Sequence, residues 1–164
     1  MRDVLAGAVA LALLAAAASL ATTLRQYRRR RDRARDSERA LGRVIVAEIP
    51  SEDDLLLFSE DNKRFYYGER SIDKDLIIAV RMLINGAPIA SFRAPGDQRQ
   101  EALSEESRHE ANSGILRDRW DVAIETVTGT TIVACGAIRE RVSQELARAV
   151  FEAVKREIER RGAA

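Results

Sequence analysis

The sequence predicts an α+β fold: one N-terminal transmembrane helix, then an antiparallel β-sandwich or barrel of about seven strands, capped by a C-terminal amphipathic helix. Three observations support this. Residues 4–24 contain no charged side chain, segments with alternating apolar residues follow, and residues 142–158 repeat apolar side chains at helical spacing. The prediction divides the chain into a transmembrane helix at 1–24, a basic juxtamembrane stem at 25–42, and a cytoplasmic β-rich domain at 43–164.

The uncharged stretch at residues 4–24 predicts a membrane anchor. A helix that rises about 1.5 Å per residue would cross a hydrocarbon core of about 30 Å with this length. A cleaved secretory signal is the alternative, with Ser19-Leu20-Ala21 as its cleavage site. The length of the stretch and the nine arginines between Arg25 and Arg43 favour the anchor. Because arginine-rich flanks stay in the cytoplasm, the predicted N-terminus lies outside it, in a bacterial inner or intracytoplasmic membrane.

The composition of this stretch predicts helix packing. Nine of its residues are alanine, and Ala8, Ala12 and Ala16 recur every four residues, with Gly7 beside them. Small side chains let two helix backbones approach closely within a membrane. The predicted packing site is therefore Gly7, Ala8, Ala12 and Ala16, and its partner is a helix of another transmembrane subunit. A lone anchor drawn from an alanine-rich proteome is the plain alternative.

Charge is divided unevenly along the chain. Residues 25–43 carry nine arginines against three acidic residues, a net charge of +6, whereas residues 44–164 carry a net charge of −5. Such a stem suits anionic lipid headgroups, and arginines there also set topology. Both interpretations apply to the predicted membrane-surface or topology site, which is Arg25, Arg28, Arg29, Arg30 and Arg31. Nucleic acid is not an expected partner, because the domain itself lacks excess positive charge.

Alternating apolar residues and turn signals predict the strands. The clearest pair is residues 76–84 and 87–92, joined by Asn85-Gly86, a dipeptide favoured in tight hairpins. Pro88 places the second strand of this pair at a sheet edge or near a strand start. Gly42 is expected to end a short helix in the stem. Other predicted strands cover residues 43–49, 54–60, 63–67, 120–125 and 131–135.

The C-terminal residues predict an amphipathic helix. Its apolar face consists of Val142, Leu146, Val150, Phe151, Val154 and Ile158. We expect this face to cover one side or the open end of the sheet. A free helix that docks on a partner is the alternative. Residues 96–118 are polar and predict an excursion or contact loop.

Two resemblances follow from the order of elements. Strands in hairpin succession followed by one helix resemble the pleckstrin-homology-like layout, although that family's tryptophan is often in the final helix and Trp120 lies in a predicted strand. The chain also resembles the H subunit of bacterial photosynthetic reaction centres in its layout: one membrane helix, the charged stem Arg30-Arg31-Asp32-Arg33, and a cytoplasmic β-rich domain. It is shorter than that subunit and shares no diagnostic motif with it. That resemblance implies a non-catalytic accessory subunit, including one of a photosynthetic assembly.

Catalytic patterns are weak in this sequence. A single cysteine, Cys135, excludes an internal disulfide, and the single histidine, His109, excludes histidine clusters. We expect two groups of carboxylates to be solvated residues of turns: those at residues 52–54, and those of Asp73 and Asp75. The sequence also contains no glycine-rich phosphate loop or nucleophile elbow. We therefore predict no enzyme, no cofactor and no metal.

The predicted function is that of a non-catalytic accessory or scaffold subunit, stabilising a larger bacterial inner-membrane complex laterally and from its cytoplasmic face. A photosynthetic reaction-centre or antenna assembly is one such complex. The alternative is a membrane-tethered pleckstrin-homology-like module that binds anionic lipid or a peptide partner. No small-molecule substrate is predicted under either hypothesis.

Overall fold

The computed structural model describes residues 2–51, 55–94 and 118–163, with the side chains of the first helix described from Ala16 onward except at position 27. Helix α1 comprises Arg2–Ala40. The strands are β1 (Val44–Pro50), β2 (Leu55–Glu60), β3 (Arg64–Tyr67), β4 (Arg70–Asp73), β5 (Ile77–Ile84), β6 (Ala87–Arg93), β7 (Arg119–Thr126) and β8 (Gly129–Ala137). A 3-10 turn, Lys74–Leu76, joins β4 to β5, and the C-terminal helix, α2, comprises Arg141–Gly162.

The described strands form two antiparallel four-stranded sheets. Sheet 1 has the order β1-β2-β3-β4, and sheet 2 has the order β6-β5-β7-β8. The structure is therefore α+β, with eight strands where about seven were predicted. The additional strand, β4, has only four residues and pairs with β3 in a register that places Phe65 opposite Ile72.

The transmembrane helix in the predicted fold is wrong. In the described part of the chain, no helix is both long enough and apolar enough to cross a membrane. From Ala16, where its described side chains begin, α1 has only nine residues before Arg25, about 14 Å of helix, which is too short to cross a hydrocarbon core of about 30 Å. The helix then continues to Ala40, and positions 25–40 carry eight arginines and three acidic residues.

Helix α1 continues because nothing in its sequence stops it before Gly42. No glycine or proline lies between Ala8 and Leu41, and alanine, leucine and arginine are good helix formers. Gly42 then adopts a φ of 72°, its N–H donates to the carbonyl of Arg39 at 2.9 Å, and Arg43 N–H donates to the carbonyl of Glu38 at 3.0 Å. These are the bonds of a glycine-terminated helix end, so the predicted stop at Gly42 is confirmed.

The hairpin between β5 and β6 forms as predicted. Asn85 and Gly86 have φ values of 51° and 79°, which matches a turn in which both central residues require positive φ. Strand β6 is an edge of sheet 2, so the expectation drawn from Pro88 is confirmed. A bulge interrupts the pairing between Met82 and Leu83, near that proline.

The core lies between the two sheets and α2. Phe58 of β2 and Phe65 of β3 are fully buried and stack with ring centroids 5.5 Å apart. Val150, Val154 and Ile158 of α2 are buried against the strands. The predicted apolar face of this helix is shifted at its start, because Val142 is 60% exposed whereas Ser143 and Ala147 are buried.

Candidate functional site

Helix α1 is attached to sheet 1 through Glu48 of β1. Arg31 Nε donates to Glu48 Oε2 at 2.9 Å, and Arg35 Nη2 donates to the same oxygen at 2.9 Å. The Glu48 side chain is only 19% exposed. The hydrogen bond from Arg35, and then that from Arg31, lowers the pKa of Glu48, against the opposing effect of burial. Two arginines one helical turn apart thus hold one carboxylate.

A second contact holds the end of α1. Glu38 accepts a hydrogen bond from Arg43 Nη1 at 3.1 Å and another from the hydroxyl of Ser59 on β2. Ser59 is buried, and the guanidinium of Arg43 lies 3.5 Å from the centre of the Tyr66 ring. Contacts to β1 and to β2 fix the direction in which α1 leaves the domain.

The described side chains of α1 before Arg31 lie away from the domain. Every described side chain from Ala16 to Arg30 is exposed, including Leu20 at 66% and Leu24 at 62%. These leucines are four residues apart and therefore lie on one side of the helix. Arg31 follows Leu24 by seven residues, so the leucines are on the same side as the residues that bind Glu48.

The predicted packing residues all fall on α1. Ala16 is exposed and begins a four-residue spacing that continues with Leu20 and Leu24. Gly7, Ala8 and Ala12 belong to the same helix, but their side chains lie outside the described residues. Within the described residues, Ala16, Leu20 and Leu24 therefore lie on one side of α1.

The structure divides the predicted membrane-surface arginines into two groups. Arg31 binds Glu48, so it contributes to docking the helix. Arg25, Arg28, Arg29 and Arg30 are exposed and have no ion pair within the described residues. Arg35 and Glu38, which complete the docked side, were not identified from the sequence. Their spacing from Arg31, at four and seven residues, is the signal that could have indicated a docked side.

A groove of about 440 Å³ lies beside the end of α1. Lys74 Nζ is 2.7 Å from Glu60 Oε2 and 3.8 Å from Glu157 Oε2, and Arg160 Nη2 is 2.6 Å from Glu157 Oε1. Four charged side chains of this groove, Lys74, Glu60, Glu157 and Arg160, bind one another, which indicates a structural role. Its lining consists of Gly42, Val44, Glu60, Asp61, Asn62, Lys74, Glu157 and Arg160.

The carboxylates of the turns are also bound locally. Asp61 accepts hydrogen bonds from the backbone N–H groups of Lys63 and Arg64, each at 2.7 Å, and from the hydroxyl of Tyr66. The bond from Lys63 is the main cause of the lowered pKa of Asp61. Asp73 accepts from the N–H of Asp75 at the start of the 3-10 turn. These contacts describe turn and cap formation.

Cys135 lies in β8 and is completely buried. Burial raises the pKa of its thiol to about 12, so the thiol is protonated at neutral pH. No group of histidine, cysteine, aspartate and glutamate side chains suited to a metal ion occurs within residues 2–51, 55–94 and 118–163. His109 and the acidic residues 52–54 lie outside the described residues.

Comparison with family models, curated proteins and solved structures finds no match to this chain. The resemblances to the pleckstrin-homology-like layout and to the reaction-centre H subunit therefore stay predictions.

Proposed function

We propose that this protein is a non-catalytic accessory or scaffold subunit of a larger bacterial inner-membrane complex. In this proposal, helix α1 is an arm that packs against a helix of a partner subunit, and the β-rich domain is the base that carries it. The observation that supports the proposal is the attachment of α1 by its last turns alone, while its described earlier side chains lie in solvent.

The geometry of the attachment lets α1 extend from the domain in a fixed direction. From Arg2 to residue 30 the helix extends for roughly 44 Å at 1.5 Å per residue. Glu48 and Glu38 hold its C-terminal part at two points, on β1 and through Ser59 on β2. Two attachment points on different strands restrict rotation and tilting, so a partner bound along α1 would be held in a defined position relative to the sheets.

The exposed leucines support a polypeptide partner on one side of α1. Covering Leu20 and Leu24, which are each about two-thirds exposed, would contribute about 1–2 kcal/mol per side chain. The alanines between and before them allow a second helix to approach closely. In this proposal the partner is therefore a helix, and it contacts the side of α1 that also carries Ala16.

Purification in mild detergent from the native cell tests this proposal. We expect stable companion proteins with the wild-type chain and their loss from the Leu20→Gln/Leu24→Gln variant. The matched control is Thr22→Ala/Gln26→Ala, since both residues are exposed and lie about 200° around the helix from the leucines. Retention of the companions by the leucine variant, or a wild-type chain that runs only as a free monomer, would contradict the proposal.

A further inference from the structure

The side of α1 opposite the docked side carries a second pattern. Arg25, Arg29 and Arg33 recur every four residues and are called the basic stripe here. At 100° per residue, the stripe lies across the helix from Arg31, Arg35 and Glu38, which contact the domain. The docking geometry thus turns these three arginines away from the sheets. All three are exposed.

The basic stripe has no ion pair within the described residues. The neighbouring acidic residues, Asp32 and Asp36, lie 3.9 Å from Arg35 and Arg39. Arg28 and Arg30, also exposed and also without a described ion pair, flank the stripe. Five guanidinium groups therefore extend from about 12 Å of helix, and none of them is bound to a carboxylate of the described residues.

We propose that the basic stripe binds the anionic headgroup surface of a phospholipid bilayer. Arginine forms bidentate hydrogen bonds with phosphate oxygens and retains its charge at all physiological pH values. The three guanidinium groups are available for such bonds because they are exposed and have no ion pair within the described residues. This proposal does not rest on the partner helix, which would occupy the other side of α1.

The surroundings of the stripe distinguish a bilayer from a nucleic acid. Residues 16–24 of α1, immediately before Arg25, carry no charge on any side of the helix, including the side of the basic stripe, where Ala18 and Thr22 are exposed. A bilayer offers hydrocarbon next to its phosphates, whereas a nucleic acid offers no comparable apolar layer.

Vesicle co-sedimentation of the full-length chain tests the proposal. The vesicles contain phosphatidylcholine alone or with roughly one-third phosphatidylserine. The test variant is Arg25→Gln/Arg29→Gln/Arg33→Gln. A charge-matched control, Arg139→Gln/Arg148→Gln/Arg156→Gln, changes three exposed arginines that have no ion pair in the described part of the domain. Circular dichroism verifies that both variants keep the wild-type helix content.

The expected result is a loss of affinity for the phosphatidylserine vesicles of about fivefold per arginine, hence about a hundredfold for the stripe variant. The control should change affinity less than fivefold. Neutral vesicles should bind wild type and both variants equally, since any apolar contribution is common to all three. Equal losses in the two variants, or displacement of wild type from anionic vesicles by an equal phosphate concentration of double-stranded DNA, would overturn the proposal.

Discussion

Replacing Lys74 by methionine should destabilise the domain strongly, although methionine is similar in shape to lysine. The Lys74 side chain is 7% exposed, and its ammonium lies between Glu60 of β2 and Glu157 of α2. The ammonium also lies 4.5 Å from the centre of the Phe65 ring. One cation thus connects the 3-10 turn, sheet 1 and the C-terminal helix. Methionine retains the apolar length of the side chain and removes the charge.

The magnitude follows from what each carboxylate loses. Removing one partner of a buried ion pair costs about 3–5 kcal/mol. Two features reduce this: Glu157 retains its ion pair with Arg160, and the Glu60 side chain is 27% exposed and can be hydrated. We therefore expect a loss of about 2–3 kcal/mol in the free energy of unfolding, which lowers Tm by about 8–12 °C in a domain of about 120 residues.

Urea unfolding followed by fluorescence measures this loss. Trp120 is the single tryptophan of the chain, and it is buried in β7, so its emission reports on unfolding of the domain. The control is Lys63→Met, at an exposed lysine in the neighbouring turn. A double-mutant cycle with Glu60→Gln should give a coupling energy of about 1 kcal/mol. If Lys74→Met and Lys63→Met agreed within about 0.5 kcal/mol, the reasoning would be refuted.

Three further predictions follow from the described contacts. Hydrogen bonds lower the pKa of Glu48, so the ionised side chain stabilises the docking of α1 at every pH above the ordinary glutamate pKa of about 4.3. This stabilisation is lost as the pH falls from that value through the lower pKa of the folded state. Hydrogen exchange of the helix should therefore become faster over this pH range in wild type and should not change in the same way in Glu48→Gln. Gly136→Ala should destabilise the domain more than Gly86→Ala. Both glycines have a positive φ, but only the new Cβ at position 136 would lie 2.5 Å from a side-chain oxygen, Oγ of Ser143. Chemical denaturation of the two variants measures the difference in the free energy of unfolding. Cys135, buried with its pKa raised to about 12, should react with a thiol reagent only as fast as the domain opens, and rapid labelling under native conditions would contradict this.

Local backbone chemistry explains which parts of the fold could be predicted from the sequence. The stop at Gly42 and the turn at Asn85-Gly86 depend on conformations that few other residues adopt, and both are present. Strand β4 was missed because its four residues include the polar Arg70, Ser71 and Asp73. It is stabilised by pairing with β3, which is a contact that no residue pattern within β4 indicates.

Contacts between distant residues explain what the sequence could not predict about the candidate site. Arg31 and Glu48 are seventeen residues apart, and they meet only because α1 reverses direction at Gly42 into β1. In the sequence alone, nothing distinguishes Arg31 from the arginines beside it. The fold assigns Arg31 to docking and leaves Arg25 and Arg29 in solvent.

Photo-crosslinking from single positions of α1 tests the central claim most directly. A photoreactive phenylalanine analogue placed at position 20 is compared in the native cell with the same analogue at position 22, on the opposite side of the helix. We expect one discrete protein adduct from position 20 and none from position 22. Equal labelling from both positions, or crosslinks from position 20 to lipid alone, would contradict the account of α1 as an arm that packs against a partner helix.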